Sequence, residues 1–108
     1  MYIALYEMKA KEGHEAQFEK AWAEVTDFIY KRSGSLGSKL HKTETERVYV
    51  AYAQWPSKEQ YQLGHKDEIP EEESLSRKAM LDSAEEIKTL HQMEVSDDRL
   101  KSEVCITS

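Results

Sequence analysis

Trp55, Tyr61 and His65 crowd into the short stretch "WPSKEQYQLGH". A Trp brings a flat apolar surface and one indole donor; a Tyr brings a rigid ring whose hydroxyl donates or accepts. A His has a pKa suited to taking a proton near neutrality. Groups of these types can hold a flat aromatic ligand, draw a proton from it and stabilise a developing oxyanion. The same residues admit a structural reading. With Ser57 as a helix N-cap, Pro56 precedes the cap and Tyr61 is the fourth helical residue, the two positions of a hydrophobic staple. Trp55 then plugs the core at the end of a strand.

The remaining reactive side chains are sparse. His14, His41, His65 and His91 form no HxxxH or similar pair at ligand spacing, so no metal is expected. "HKDE" at 65–68 reads as a solvated turn, as charge runs usually do. Cys105 is the single cysteine, which excludes an intrachain disulfide and points to a reduced, cytoplasmic compartment. A thiol needs an activating neighbour to act as a nucleophile, and none is evident for Cys105.

The elements that position these residues follow from periodicity. "YIALYEMK" alternates and lacks Gly and Pro, which predicts a strand over about 2–9. From His14 to Arg32, Phe18, Trp22, Val25 and Ile29 recur at helical spacing, Phe28 widens the stripe, and Gly34 follows as a left-handed cap. "SLGSKLHK" is a second strand, with Leu36, Ser38 and Leu40 on one face and His41 on the other. "RVYVAYAQW" is the third, apolar on both faces: Val48, Val50 and Tyr52 against Tyr49, Ala51, Ala53 and Trp55. "SKEQ" is a capping box that opens a short helix ending near Gly64. Pro70 and three acids start another helix, whose stripe of Leu75, Ala79, Ala84 and Ile87 carries it through "LSRKAMLDSAEEIKTL". "LHQMEV" is a brief last strand, before a polar tail over about 97–108.

Strand, helix, strand, strand, broken helix, strand is the order of a ferredoxin-like α+β sandwich, a four-stranded antiparallel sheet with helices on one face. A third strand apolar on both sides asks for cover on the second face as well. A second copy of the same sheet supplies it, so the expected assembly is a homodimer with facing sheets.

The 108 residues make one domain the expectation, with a composition of 39% hydrophobic and 33% charged residues that suits a globular chain. A formal charge of −6 argues against nucleic acid and against anionic membrane surfaces as partners. The opening "MYIALYEMKAKEG" has no basic region before an apolar run, so no signal peptide is expected. No apolar segment approaches the roughly 20 residues of a membrane span.

The opening strand followed by "KAKEGHEAQFEKAW", then "RSGSLGSKLHK", then "VYVAYAQWPSKEQY", resembles the antibiotic biosynthesis monooxygenase family of the dimeric α+β barrel superfamily. The likeness covers roughly residues 2–65. It implies a dimer, and an oxygenase that works on phenols, anthrones or hydroquinones with neither metal nor flavin. A non-catalytic dimer that binds a small aromatic or apolar ligand is the alternative, because the superfamily sets fold more firmly than activity. In the phenol-oxidising members, a Trp ending the third strand and a Tyr six residues later line the pocket, and Trp55 and Tyr61 stand there. Those members place an Asn donor four residues before the Trp, where this chain has Ala51, and an Arg on the later helix, for which Arg77 is nearest. The resemblance makes Trp55, Tyr61 and His65 the candidate catalytic residues, and Tyr49, Ala51, His41 and Arg77 the candidate substrate-binding ones. Haem is not expected. Gly64 and Ser74 stand where a haem-degrading relative needs a Trp and the proximal His.

Overall fold

The computed structural model describes residues 1–66 and 68–100. Cys105 and the end of the polar tail lie outside the described residues, as does Asp67 of the charged turn. The elements run β1 (Tyr2–Ala10), α1 (Glu15–Ser33), β2 (Ser38–Lys42), β3 (Val48–Trp55), α2 (Lys58–Gly64), α3 (Glu71–Asp82) and β4 (Ala84–Glu94). The strands form one antiparallel sheet in the order β2-β3-β1-β4, with the helices on one face. This is the expected ferredoxin-like α+β arrangement. Among the described residues no helix is long and apolar enough to cross a membrane.

Register sorts the side chains. Tyr6 lies opposite Ala51, and Ala51 opposite Leu40, so these share the helix-facing side. Met8, Phe18, Ala21, Val25, Tyr49, Ala51 and Met80 form the core there. Leu5, Val48, Val50 and Tyr52 lie on the other side, and all are half-buried. The stripe predicted for α1 holds: Phe18 and Val25 are buried, and Trp22 and Ile29 pack against the core. Gly34 closes α1 at φ 74°, in the left-handed region that only glycine enters without strain.

The second half departs from the pattern. The helix predicted to run on to Leu90 stops at Asp82, and Ala84 and Ile87 belong to β4. Leu75 is 64% exposed, while Glu73 and Met80 are the buried residues of α3. The fully buried Ser83 closes the helix, its hydroxyl within reach of the Ala79 and Met80 carbonyls at 2.9 and 3.0 Å. Beyond it, pairing with β1 from Ala10↔Ala84 to Tyr2↔Glu94 draws eleven residues into an edge strand. Sheet hydrogen bonds thereby override a local helical pattern.

Candidate active site

A cavity of about 240 Å³ lies between the sheet and the helices. Its walls are mainly apolar: Met8, Val25, Ile29, Ala51, Met80 and Ile87, with Trp22 and Trp55 beside them. Tyr6, His65 and Arg77, with Thr26, Ser35 and Ser38, are the polar residues of its lining. A concave apolar site with a few convergent polar groups is the usual form of a small-molecule pocket.

The β3–α2 corner builds one end of it. Ser57 caps α2 as expected, its Oγ accepting from Gln60 N at 3.1 Å. The box is not reciprocal, because Gln60 Nε2 donates instead to Ser33 O at 2.8 Å and ties α2 to the end of α1. Trp55 is buried at the strand end and lines the cavity. Gly64 sits against its ring; a Cβ there would come within 3.1 Å of Trp55 Cη2 and 2.9 Å of Ser33 Cβ. Gly64 therefore ends the short helix and also lets the indole lie flush against the backbone. Tyr61 meets Trp55 edge-on at 5.5 Å between ring centroids and packs against Tyr2 at 5.3 Å.

His65 lies 4.2 Å from the Tyr61 ring, is solvent-exposed and lines the cavity, so it stands at the mouth. Its Nδ1 is 2.8 Å from the Tyr61 carbonyl, which only accepts. In the neutral ring that contact puts the proton on Nδ1 and leaves the lone pair on Nε2.

Behind the cavity the hydroxyls form a chain. Tyr2 donates to Gln92 Oε1 at 2.9 Å, and Gln92 Nε2 donates to the Tyr61 oxygen at 3.3 Å. The Tyr61 and Tyr6 hydroxyls share a hydrogen bond of 3.4 Å. Tyr61 thus stands one hydrogen bond behind the wall, and Tyr6 is the member of the chain that lines the cavity. Burial pushes the Tyr6 phenol well above its ordinary value; the bond to Tyr61 and the nearness of Tyr61 and Tyr2 add to this, and Arg77 opposes it. Tyr6 is a neutral donor across the physiological range.

Arg77 is aimed from behind. Glu73, with no exposed surface, accepts from Arg32 Nε and Nη2 at 2.9 and 3.0 Å and from Arg77 Nε at 2.8 Å. Burial alone pushes its carboxyl up, but the hydrogen bonds and charges of the two arginines outweigh that and hold it below the ordinary carboxylate range. A buried carboxylate needs such pairing, and here the pairing also joins α1 to α3 and fixes one wall of the cavity.

The structure brings Trp55, His65, Ala51 and Arg77 together around the cavity, with Tyr61 one step behind. It leaves two expected residues elsewhere. Tyr49 faces the helices at the far end of β3 and donates to Glu19 Oε2 at 2.7 Å. His41 lies on the opposite face of the sheet, its Nδ1 3.0 Å from Val50 O. The alternation of β2 and the length of β3 explain both. Sequence reasoning missed Tyr6 and Trp22 as cavity residues. The signal for Tyr6 was the period of β1, which puts Tyr2, Ala4, Tyr6 and Met8 on one face. The pairing of Tyr6 with Ala51 needed the sheet order. Among the described residues no group of three or more His, Cys, Asp or Glu side chains gathers as a metal site requires.

Residues 1–67 match the antibiotic biosynthesis monooxygenase family. No curated protein sequence matches the chain. Among solved structures, a cofactor-independent oxygenase, SnoaB from Streptomyces nogalater, superposes with a TM-score of 0.72 at 13% identity, over 93% of this chain and 98% of that one. A single-residue variant of it gives a TM-score of 0.74 at 14% identity, over 93% and 97%. A protein from Pseudomonas aeruginosa gives 0.67 at 13% identity, over 89% and 94%. At such identities the likeness is one of fold.

Proposed function

The chain belongs to the antibiotic biosynthesis monooxygenase family, and from that premise we propose that it is a cofactor-independent monooxygenase for an electron-rich aromatic, a phenol, a quinol or a polyketide-like ring. The observation that carries the reading is the cavity itself, where Tyr6, Arg77 and His65 converge among apolar walls that include Trp22 and Trp55. The SnoaB fold, that of a cofactor-independent oxygenase, supports the same reading.

The substrate supplies the electrons. His65 Nε2, or water at the mouth, takes a proton from an acidic phenol or the CH₂ of an anthrone. The resulting anion gives an electron to dioxygen, and recombination forms a C–OOH bond. Loss of water leaves the carbonyl. Overall, R₂CH₂ and O₂ give R₂C=O and H₂O, so atoms and electrons balance with no other reductant. The protein's share is to hold the ring against Trp55, accept the proton, and stabilise the anion with Tyr6 and Arg77.

The decisive experiment is oxygen uptake by metal-free, flavin-free protein over a panel of hydroquinones and anthrones. Uptake above autoxidation, lowered in folded His65→Ala and Trp55→Phe variants, is the expected result. No uptake across the panel turns the reading to a dimeric binder of small aromatic ligands. Ala51, which puts no polar side chain where the phenol-oxidising members carry Asn, is the observation that favours that second reading. In either case we propose a homodimer assembled through the sheet face that carries Leu5, Val48, Val50 and Tyr52.

A further inference from the structure

Ala51 gives the cavity no polar side chain from β3, yet its direct cross-strand partner on β1 is Tyr6. Directly opposed residues in an antiparallel pair share a face, with Cβ atoms about 5 Å apart. Both residues line the cavity, so Tyr6 borders the space into which a longer side chain at 51 would extend. The Tyr6 hydroxyl shares a hydrogen bond with that of Tyr61, which also accepts from Gln92. Either phenol can donate in that bond, and a Tyr6 that accepts from Tyr61 has its own O–H for a ligand.

We propose that Tyr6 is the hydrogen-bond donor to the developing oxyanion in this cavity, supplying from β1 what Ala51 does not supply from β3, with Tyr61 and Gln92 as positioning residues that orient it. The role in turnover rests on the oxygenase reading; the donor itself rests on geometry. Burial keeps the phenol protonated, as a donor requires. Arg77 brings a positive charge to the same space, so an anion there meets both a fixed dipole and a fixed charge.

The test uses para-nitrophenol, whose ionisation is read by absorbance and involves no oxygen chemistry. The whole protein is titrated with the probe from acid to mildly alkaline pH. Wild type is expected to lower the apparent pKa of the bound phenol by about one pH unit, a tenfold preference for the anion. Tyr6→Phe, checked for folding by circular dichroism, is expected to abolish most of that lowering. Adding Ala51→Asn to Tyr6→Phe is expected to restore part of it, because an amide at 51 is a donor to the same point. A wild type that leaves the probe's ionisation as it is in water overturns the proposal. So does a Tyr6→Phe variant that behaves like wild type, or a double variant no better than the single one. A probe shift that follows Tyr6 in a protein that takes up no oxygen sinks the oxygenase reading and leaves the donor standing.

Discussion

Replacing Glu73 by Gln removes one charge and almost no volume. In the wild type the carboxylate accepts three hydrogen bonds, two from Arg32 and one from Arg77. The Glu73 side chain has no exposed surface, against 17% for Arg32 and 34% for Arg77. Removing one partner of a buried ion pair typically costs 3–5 kcal/mol, because the charge left behind stays desolvated. Arg77 can turn a third of its surface to water, which places the expected loss near the lower end, at about 3 kcal/mol. Arg77→Gln should cost only about 1 kcal/mol, because Glu73 keeps its two-point contact with Arg32. Urea denaturation followed by Trp fluorescence measures both. At about 1–3 kcal/mol per molar of urea, the Glu73→Gln midpoint should fall by roughly 1–3 M. The difference from wild type should also depend on pH with a known sign. The folded-state carboxyl is held below its ordinary 4.5, so its contribution is complete above that pH and is lost as pH falls through the folded value. The two proteins should therefore converge in acid and differ fully at neutrality. A Glu73→Gln loss under 1 kcal/mol, an Arg77→Gln loss as large, or a gap that does not narrow in acid would refute the clamp.

Gly64→Ala should push its Cβ into Ser33 and the Trp55 ring. A loss of about 1–3 kcal/mol and a shifted Trp emission are expected; unchanged emission and stability would show that the corner has slack. Tyr49→Phe deletes the 2.7 Å bond to Glu19 and should cost about 1 kcal/mol. Burial first, then the Glu19 bond and charge, push the Tyr49 phenol up to about 12 from 10.0. Its contribution is therefore complete below 10 and fades as pH rises towards 12, and alkaline titration of the wild type and Tyr49→Phe should show their stabilities converging there. Light scattering on the eluting protein should give twice the 12.6 kDa chain mass; a monomer at micromolar concentration would remove the argument from the half-buried sheet face.

The first two thirds of the fold could be read from the sequence because its local patterns agree with its tertiary contacts. Phe18, Trp22, Val25 and Ile29 recur at the helical period and do face the core. Ser57 and Gly34 carry the end signals that the structure uses. From Leu75 onward local and tertiary preferences conflict. Ala79, Ala84 and Ile87 fit a helical stripe, but Ser83 closes α3 and the bare edge of β1 takes the following residues as a strand. The buried residue that matters most in α3 is also a poor sequence signal. Glu73 is one acid in a run of three, and its neighbours Glu71 and Glu72 are exposed. Only the approach of Arg32 from α1 singles it out.

The site was half legible for the same reason. Trp55 and His65 lie on contiguous elements, whereas the Tyr6–Ala51 pair exists only once β1 lies beside β3. That pairing also bears on the electrostatics of the cavity. The chain carries −6 overall, which disfavours the approach of an anion. Locally, two guanidinium groups share one carboxylate, and Arg77 is the one permanent charge among the described residues that line the cavity. A neutral phenol, the substrate proposed above, would enter without having to overcome the long-range field, and it would meet a net positive charge and a phenolic donor only where it ionised. Interactions that strengthen as the proton leaves lower the barrier without tightening the ground state. In the proposed reaction Arg77 and Tyr6 would act in that way, held by their hydrogen bonds to Glu73 and Tyr61, neither of which lines the cavity.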